Sequence, residues 1–232
     1  MHLWWTVRAA EPVVEVAATL EVLAPPSVTR LYFWALQATF HDGQSATGAG
    51  HLGLQWGVGD APRRSVNWGG YLAGGGELEG TVSELPATLG NPNTRDFAWV
   101  AGRPYRLHIG PSPAGPGLWR GQVTDEVSGV STVVRDLRCP GRHLVDPVVW
   151  SEVFARCDDP PVTVRWRDLE VVTTSGRRGD VSTVVAGYQS WEDGGCDNTT
   201  AGHDGTGWVQ RTNSPRVVGP GSRLSRAAGP PR

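Results

Sequence analysis

The sequence predicts an all-β fold, an antiparallel β-sandwich, on three observations. Apolar residues recur with period two along most of the chain, no segment carries an apolar face of helical period, and turn signals come every 8–12 residues. Glycine (31) and proline (18) together exceed a fifth of the chain, a composition that favours turns and short strands over long helices. At 232 residues the chain fits one large β domain.

The strands follow in order. In 13–22, Val14, Val16, Ala18, Leu20 and Val22 share one face and Glu15, Thr19 and Glu21 the other, which suits a half-buried antiparallel strand ended by Pro25-Pro26. In 30–41, Tyr32, Trp34, Leu36, Ala38 and Phe40 share a face, the pattern of a central strand. HDGQSATGAG (41–50) reads as a loop. HLGLQWGV (51–58) and RSVNWGGY (64–71) read as strands joined by a turn near Gly59-Asp60-Ala61-Pro62. Residues 72–94 are rich in Gly, Pro and Asn and read as a long irregular stretch. Strands are then expected over 95–100, 104–110, 118–126, 130–137, 145–156 and 162–172. In the last, Val162, Val164 and Trp166 share one parity and Leu169 and Val171 the other, so a β-bulge is expected near Arg167-Asp168. The sandwich domain is placed at 1–189. From about 190 the alternation fails, and 190–232 reads as a Gly/Pro/Arg-rich, loosely ordered tail that Trp191 and Trp208 could pin to the body.

Charge sets the tail apart as well. All 21 basic residues are arginine. Residues 1–210 carry 16 Arg against 23 acids, a balance of -7, and the remainder carries five Arg and no acid. The acidic body argues against nucleic-acid binding. Without lysine, Schiff-base chemistry, a phosphate-loop lysine and a lysine general base are excluded. There is no run of about 20 apolar residues, so no membrane partner is expected. MHLWWTVRAAEP lacks the charged and apolar regions of a signal peptide, so a cytoplasmic protein is expected from the chain as given, and a secreted one if residues precede it. Cys139, Cys157 and Cys196 form no C-x-x-C. Cys139 and Cys157 could pair if their strands neighbour, and reduced thiols are the other reading.

The run LYFWALQATF, then HLGLQW and RSVNWGGY, with PYRLHIG, LWRGQVTD and WSEVF further on, resembles an uncharacterised bacterial family, domain of unknown function 3472, over residues 30–172. The resemblance implies a concanavalin-like jelly roll, often of carbohydrate context, and supplies no catalytic residues.

Few constellations carry chemistry. Jelly-roll glycosidases need two carboxylates on one strand face. Here E-x-D-x-(x)-E is missing, and Asp168 and Glu170 share a face only if the bulge permits. Glu152 shares its parity with Trp150 and Phe154. A carboxylate between two aromatics either lies on a ligand face or is buried and paired, and Arg165 or Arg167 on the next strand is the natural partner. The six histidines show no zinc spacing. Asp193, Asp197 and Asn198 lie in a Gly-rich loop that could supply calcium oxygens, and no other cofactor or metal is expected. No G-x-S-x-G elbow followed by a helix occurs.

Eleven tryptophans remain, of which Trp56, Trp68, Trp99, Trp119 and Trp150 fall on expected strands. Aromatic faces stack on sugar rings, so Trp56 with Gln55, Trp68 with Asn67, and Trp150 with Glu152 are the candidate ligand-binding residues. The leading expectation is a non-catalytic carbohydrate-binding, lectin-like module with a glycan partner. A glycan-active hydrolase using Glu152 with Asp168 or Glu170 is one alternative, and a structural or protein-interaction module is another.

Overall fold

The structure, a computed structural model, describes residues 1–57, 63–88 and 90–226. Within them it is all-β, with strands β1 (His2–Trp5), β2 (Val13–Ala24), β3 (Tyr32–His41), β4 (Ala46–Trp56), β5 (Arg64–Leu72), β6 (Ala87–Thr88), β7 (Asn91–Asp96), β8 (Pro104–Pro111), β9 (Leu118–Asp125), β10 (Ser131–Arg138), β11 (His143–Val153), β12 (Thr163–Thr173), β13 (Arg178–Asp180), β14 (Thr183–Gly187), β15 (Thr200–His203), β16 (Trp208–Arg211) and β17 (Arg223–Ser225).

Every pairing is antiparallel, and the pairings trace two ladders. The first runs β6-β7-β5-β4-β3-β11-β1-β14-β17. The second runs β10-β9-β8-β2-β12, with β13 and β16 both on the far side of β12 and β15 on β16. A single pairing, Leu144 with Val13, joins them into one open sheet folded into a sandwich.

The core fills the space between the layers with the even parity expected of 30–41. Tyr32, Trp34, Leu36, Ala38 and Phe40 are all buried, and they meet Val16, Ala18, Leu20 and Val22 of β2 in one cluster. Trp68 reaches across the sandwich to Gly121. A Cβ there would lie 2.6 Å from the indole, so only glycine admits the ring. The Phe40 and Trp119 rings pack beside it, tilted to each other, with centres 4.9 Å apart. The Trp68 and Trp119 indoles are satisfied by the Trp119 and Cys139 carbonyls.

The expected bulge is present. The β12 register shifts between Arg167 and Glu170, with Asp168 at φ 51°, a left-handed conformation that Asp tolerates better than most residues. Three expectations need correction. The strand read at 95–100 lies earlier, as β7, and its hydrogen bonds come from β5 and β6. The loop read at 41–50 is shorter, because β4 already begins at Ala46. Of the suggested cysteine pair, Cys157 is bridged to Cys196 instead, and Cys139 is free and buried.

Residues 190–226 also differ from the tail read there. β16 adds to β12, with Trp208 buried opposite Trp166, and β17 adds to β14. Strands this short have too few residues to show alternation. They are recognised as strands only through neighbours that are distant in sequence.

Candidate functional site

While even-numbered residues of β3, β4 and β5 enter the core, the odd-numbered ones line the outer face of the same sheet. Register places them in rows. One row is Glu152 (β11), Phe33 (β3), Gln55 (β4), Ser65 (β5) and Asp96 (β7). The next is Trp150, Ala35, Gly53, Asn67 and Thr94, with His2 of β1 beyond Trp150. The third is Val148, Gln37, His51 and Gly69.

This face floors a cleft of about 690 Å³. Phe33, Gln37, His51, Tyr71, Trp150 and Glu152 contribute to its lining, and the 154–159 and 188–199 loops wall one side. The small residues Ala35 and Gly53 let the larger rings of the neighbouring rows lean inward. Phe33 meets Trp150 edge-on at 4.9 Å, and His51 lies 5.6 Å from Phe33 and 5.9 Å from Trp150. The Cys157–Cys196 bridge ties the two loops of the wall together. Asn198 donates to the Cys157 carbonyl at 2.7 Å, and Arg216 donates to the Cys196 carbonyl at 2.6 Å while lying 4.1 Å over the Tyr188 ring.

Two amides on this face are oriented by fixed donors. The Trp150 indole can only donate, and it holds the Gln37 Oε1 at 3.1 Å, leaving the Gln37 Nε2 hydrogens for other partners. The Thr94 hydroxyl donates to the Gln55 Oε1 at 3.3 Å, itself accepting from Asn67 Nδ2 at 2.9 Å. Nε2 of Gln55 has no partner among the described residues.

Glu152 stands at the edge of the cleft. Although its side chain is exposed, the cleft walls strip water from the carboxyl and raise its pKa above the ordinary value. Burial pushes His51 down to about 4, so at neutral pH its imidazole carries no charge. Burial does the same to His2, also to about 4.

Of the sequence candidates, Gln55, Asn67, Trp150 and Glu152 come together on this face. Trp56 and Trp68 do not. They share the core parity, with Trp68 fully buried and Trp56 half-buried against the core, its indole donating to the Val28 carbonyl at 3.0 Å. The expected Glu152–Arg pair is not formed. Arg165 holds Glu21 and Asp204 at 2.8 and 2.7 Å, and Arg167 holds Glu126 and Asp168 at 2.9 and 2.6 Å. Asp168 and Glu170 lie on β12 in the other layer, where Glu170 is paired with Arg178 at 2.6 Å and Arg106 at 3.4 Å. Neither can join Glu152 in a two-carboxylate site, so that arrangement is excluded. In the suggested calcium loop, Ser190 donates to the Asp193 carboxylate at 2.5 Å, and the Asn198 amide nitrogen donates to the Cys157 carbonyl and to Asn213, while the Asn198 Oδ1 has no partner among the described residues. Phe33, Gln37, His51 and Tyr71 were missed. An aromatic and an amide on the parity opposite a core face, at Phe33 and Gln37, were the signal available.

Neither a family model nor a curated protein matches the sequence. Solved structures do. A Scytalido-glutamic peptidase with a peptide-based transition-state analog aligns over 91% of this chain and 96% of its own, at 12% identity and a TM-score of 0.49. SCP-B, a member of the eqolisin family of peptidases in complex with the tripeptide Ala-Ile-His, aligns over 91% and 94%, at 9% identity and a TM-score of 0.44. The expectation of a non-catalytic, lectin-like module is corrected: of the three tryptophans that were to stack on sugars, Trp68 is buried in the core and Trp56 is half-buried against it, which leaves Trp150 alone at the cleft.

Proposed function

We propose that the chain is a hydrolase acting on an acyl carbon, with peptides the first substrates to test, and that Glu152 is its general base. The observation that carries this reading is a carboxylate with no arginine and no hydrogen-bond partner among the described residues, its one charged neighbour the Met1 ammonium, on a face whose two amides have their oxygens tied down: Gln37 in the cleft lining and Gln55 buried in the row of Glu152. A group that ordinary structure would pair is instead free to take a proton.

The step balances with water alone. Glu152 takes a proton from water as the water oxygen bonds to the carbonyl carbon. Charge on the carbonyl oxygen is met by the Gln55 Nε2–H, whose orientation Thr94 fixes in advance. Glu152 then returns the proton to the leaving nitrogen as the C–N bond breaks. Gln55 stands two strands from Glu152 across Phe33, about 10 Å between backbones at ordinary strand spacing. That separation leaves room for water and the scissile group between the two side chains. The base works ionised, so its raised pKa displaces the acid limb of activity above the ordinary glutamate range. The Cys157–Cys196 bridge supports an oxidising compartment rather than the cytoplasm.

The test is digestion of an unstructured protein or peptide pool, with products read by mass spectrometry. Wild type should cleave. Glu152→Gln should lose at least about a thousandfold with unchanged circular dichroism, and Gln55→Leu should lose about a hundredfold in kcat. Cleavage that survives Glu152→Gln, or no cleavage by wild type from pH 3 to 8, refutes the proposal.

A further inference from the structure

Gln37 and His51 face each other directly across the β3–β4 ladder, on the floor of the cleft and two rows from Glu152. We propose that this pair is a specificity subsite that binds a carboxamide, the side chain of a glutamine or asparagine in the substrate. The inference rests on the reading of the cleft as a substrate site.

The Trp150 indole donates to the Gln37 Oε1 and so fixes the orientation of the amide, which leaves both Gln37 N–H groups to offer to the cleft. His51 makes no hydrogen bond among the described residues. As a neutral ring it carries one N–H and one bare nitrogen. The pair therefore presents a fixed donor beside a group that can accept, the complement of a primary amide: ligand oxygen on Gln37 Nε2, ligand N–H on the His51 nitrogen.

The surroundings narrow the class further. Phe33, Tyr71 and Trp150 lie around His51 at 5.6, 6.3 and 5.9 Å between ring centres, which suits the flat faces and short methylene stem of such a side chain. Among the described residues no arginine reaches this part of the floor, and the one in the lining, Arg156, sits at the wall paired with Asp158 at 3.3 Å. The Met1 ammonium also lines the cleft, but burial lowers its pKa to about 6, so above that pH a carboxylate would enter without a counter-charge, in a cleft that already holds Glu152, and an aliphatic side chain would leave the Gln37 and His51 groups stripped of water with nothing to bond.

The experiment measures binding separately from turnover. Three otherwise identical peptides, carrying Gln, Glu or Leu at one position that is scanned along the chain, are titrated calorimetrically into the Glu152→Gln protein. At one position the Gln peptide should bind at least about tenfold more tightly than its Glu and Leu partners. Gln37→Leu and His51→Phe, each added to Glu152→Gln, should reduce that ratio to near one while Leu-peptide binding persists. A ratio near one at every position, a preference for Glu, a preference that survives both substitutions, or no binding at millimolar peptide overturns the proposal. If the preference holds but wild type cleaves nothing, the hydrolase reading fails and the subsite stands. Cleavage without preference is the reverse result.

Discussion

His51 should make the fold sensitive to mild acid. Its imidazole is held neutral among Phe33, Tyr71 and Trp150, and burial brings its pKa from about 6.5 in the unfolded chain to about 4 in the fold. A histidine depressed in this way contributes stability that is full above pH 6.5 and is lost as pH falls from 6.5 through 4, because the unfolded chain takes up the proton first. The difference in proton affinity corresponds to about 3 kcal/mol between pH 7 and pH 4. That is a large share of the roughly 5–15 kcal/mol a domain has in total. His51→Phe keeps a ring of similar size in place and removes the titration. Urea unfolding followed by tryptophan fluorescence, at pH 7 and pH 4, gives the test as a double difference. The variant should lose about 3 kcal/mol less than wild type on acidification. His2, depressed to the same value, and the carboxylates leave both proteins some shared acid sensitivity that cancels in the comparison. Equal losses in the two proteins, or a His51 pKa near 6.5 by NMR, would refute the reasoning.

Other expectations follow from single contacts. The Cys157–Cys196 bridge closes a 39-residue separation, so replacing both cysteines by serine should cost about 4 kcal/mol by loop-closure entropy and, by freeing the cleft wall, raise KM more than it lowers kcat; an unchanged urea midpoint would count against it. Gly121→Ala puts a Cβ 2.6 Å from Trp68 and should cost about 1–3 kcal/mol, with a near-ultraviolet circular dichroism change as the ring shifts. Asp136 is buried, and burial acts to raise its pKa, but the hydrogen bonds from Arg120 at 2.9 and 3.1 Å and from Ser112 at 2.5 Å outweigh this and hold it low. Its contribution is therefore present above the ordinary aspartate pKa and lost as pH falls below it. Arg120→Met should destabilise by about 3–5 kcal/mol at pH 7 and by less at pH 3, measured by the same unfolding experiment.

The layers were legible because alternation is a local property. Tyr32 to Phe40 and Val14 to Val22 each state their own buried face, and the slip of parity at Arg167-Asp168 states the bulge. The stretch after 190 was not legible. Thr200–His203 and Trp208–Arg211 are four residues each; they pair with each other, and Trp208–Arg211 joins the sheet through β12, some forty residues earlier. The site was half legible for the same reason. Glu152 could be singled out by parity, and Gln55 and Asn67 only as neighbours of tryptophans, but the face they share depends on the β11–β3–β4–β5 register, which no single strand contains. The tryptophans misled because a large ring on a strand looks alike from either face. Trp68 became a core residue only because Gly121, on the opposite layer, makes room for it.

Glu152 departs from the way this sandwich treats its other strand acids. Glu15 lies 3.0 Å from His108, Glu21 is held by Arg165 and Arg167, Glu170 by Arg178 and Arg106, and Asp136 by Arg120. Asp146 has no such partner either and sits exposed at a bulge in β11 where water serves it; Glu152 is exposed too, but the cleft walls desolvate its carboxyl enough to raise its pKa. The two arginines expected as its partners, Arg165 and Arg167, lie on β12 in the opposite layer and pair there, and the one charged neighbour of Glu152, the Met1 ammonium, lowers its pKa by less than burial raises it. Leaving a carboxyl unpaired in a partly dehydrated cleft costs stability, as its raised pKa registers. A leucine or glutamine at 152 would remove that cost without disturbing the β11 ladder, whose hydrogen bonds are backbone. Stability alone therefore gives no reason for glutamate at this position. Where a sequence breaks a rule it follows elsewhere, function is the first explanation to test. If Glu152→Gln raises the urea midpoint at pH 7 while abolishing turnover, the exchange of stability for chemistry at this residue is measured directly. A Glu152→Gln protein that is both less stable and fully active would remove the argument.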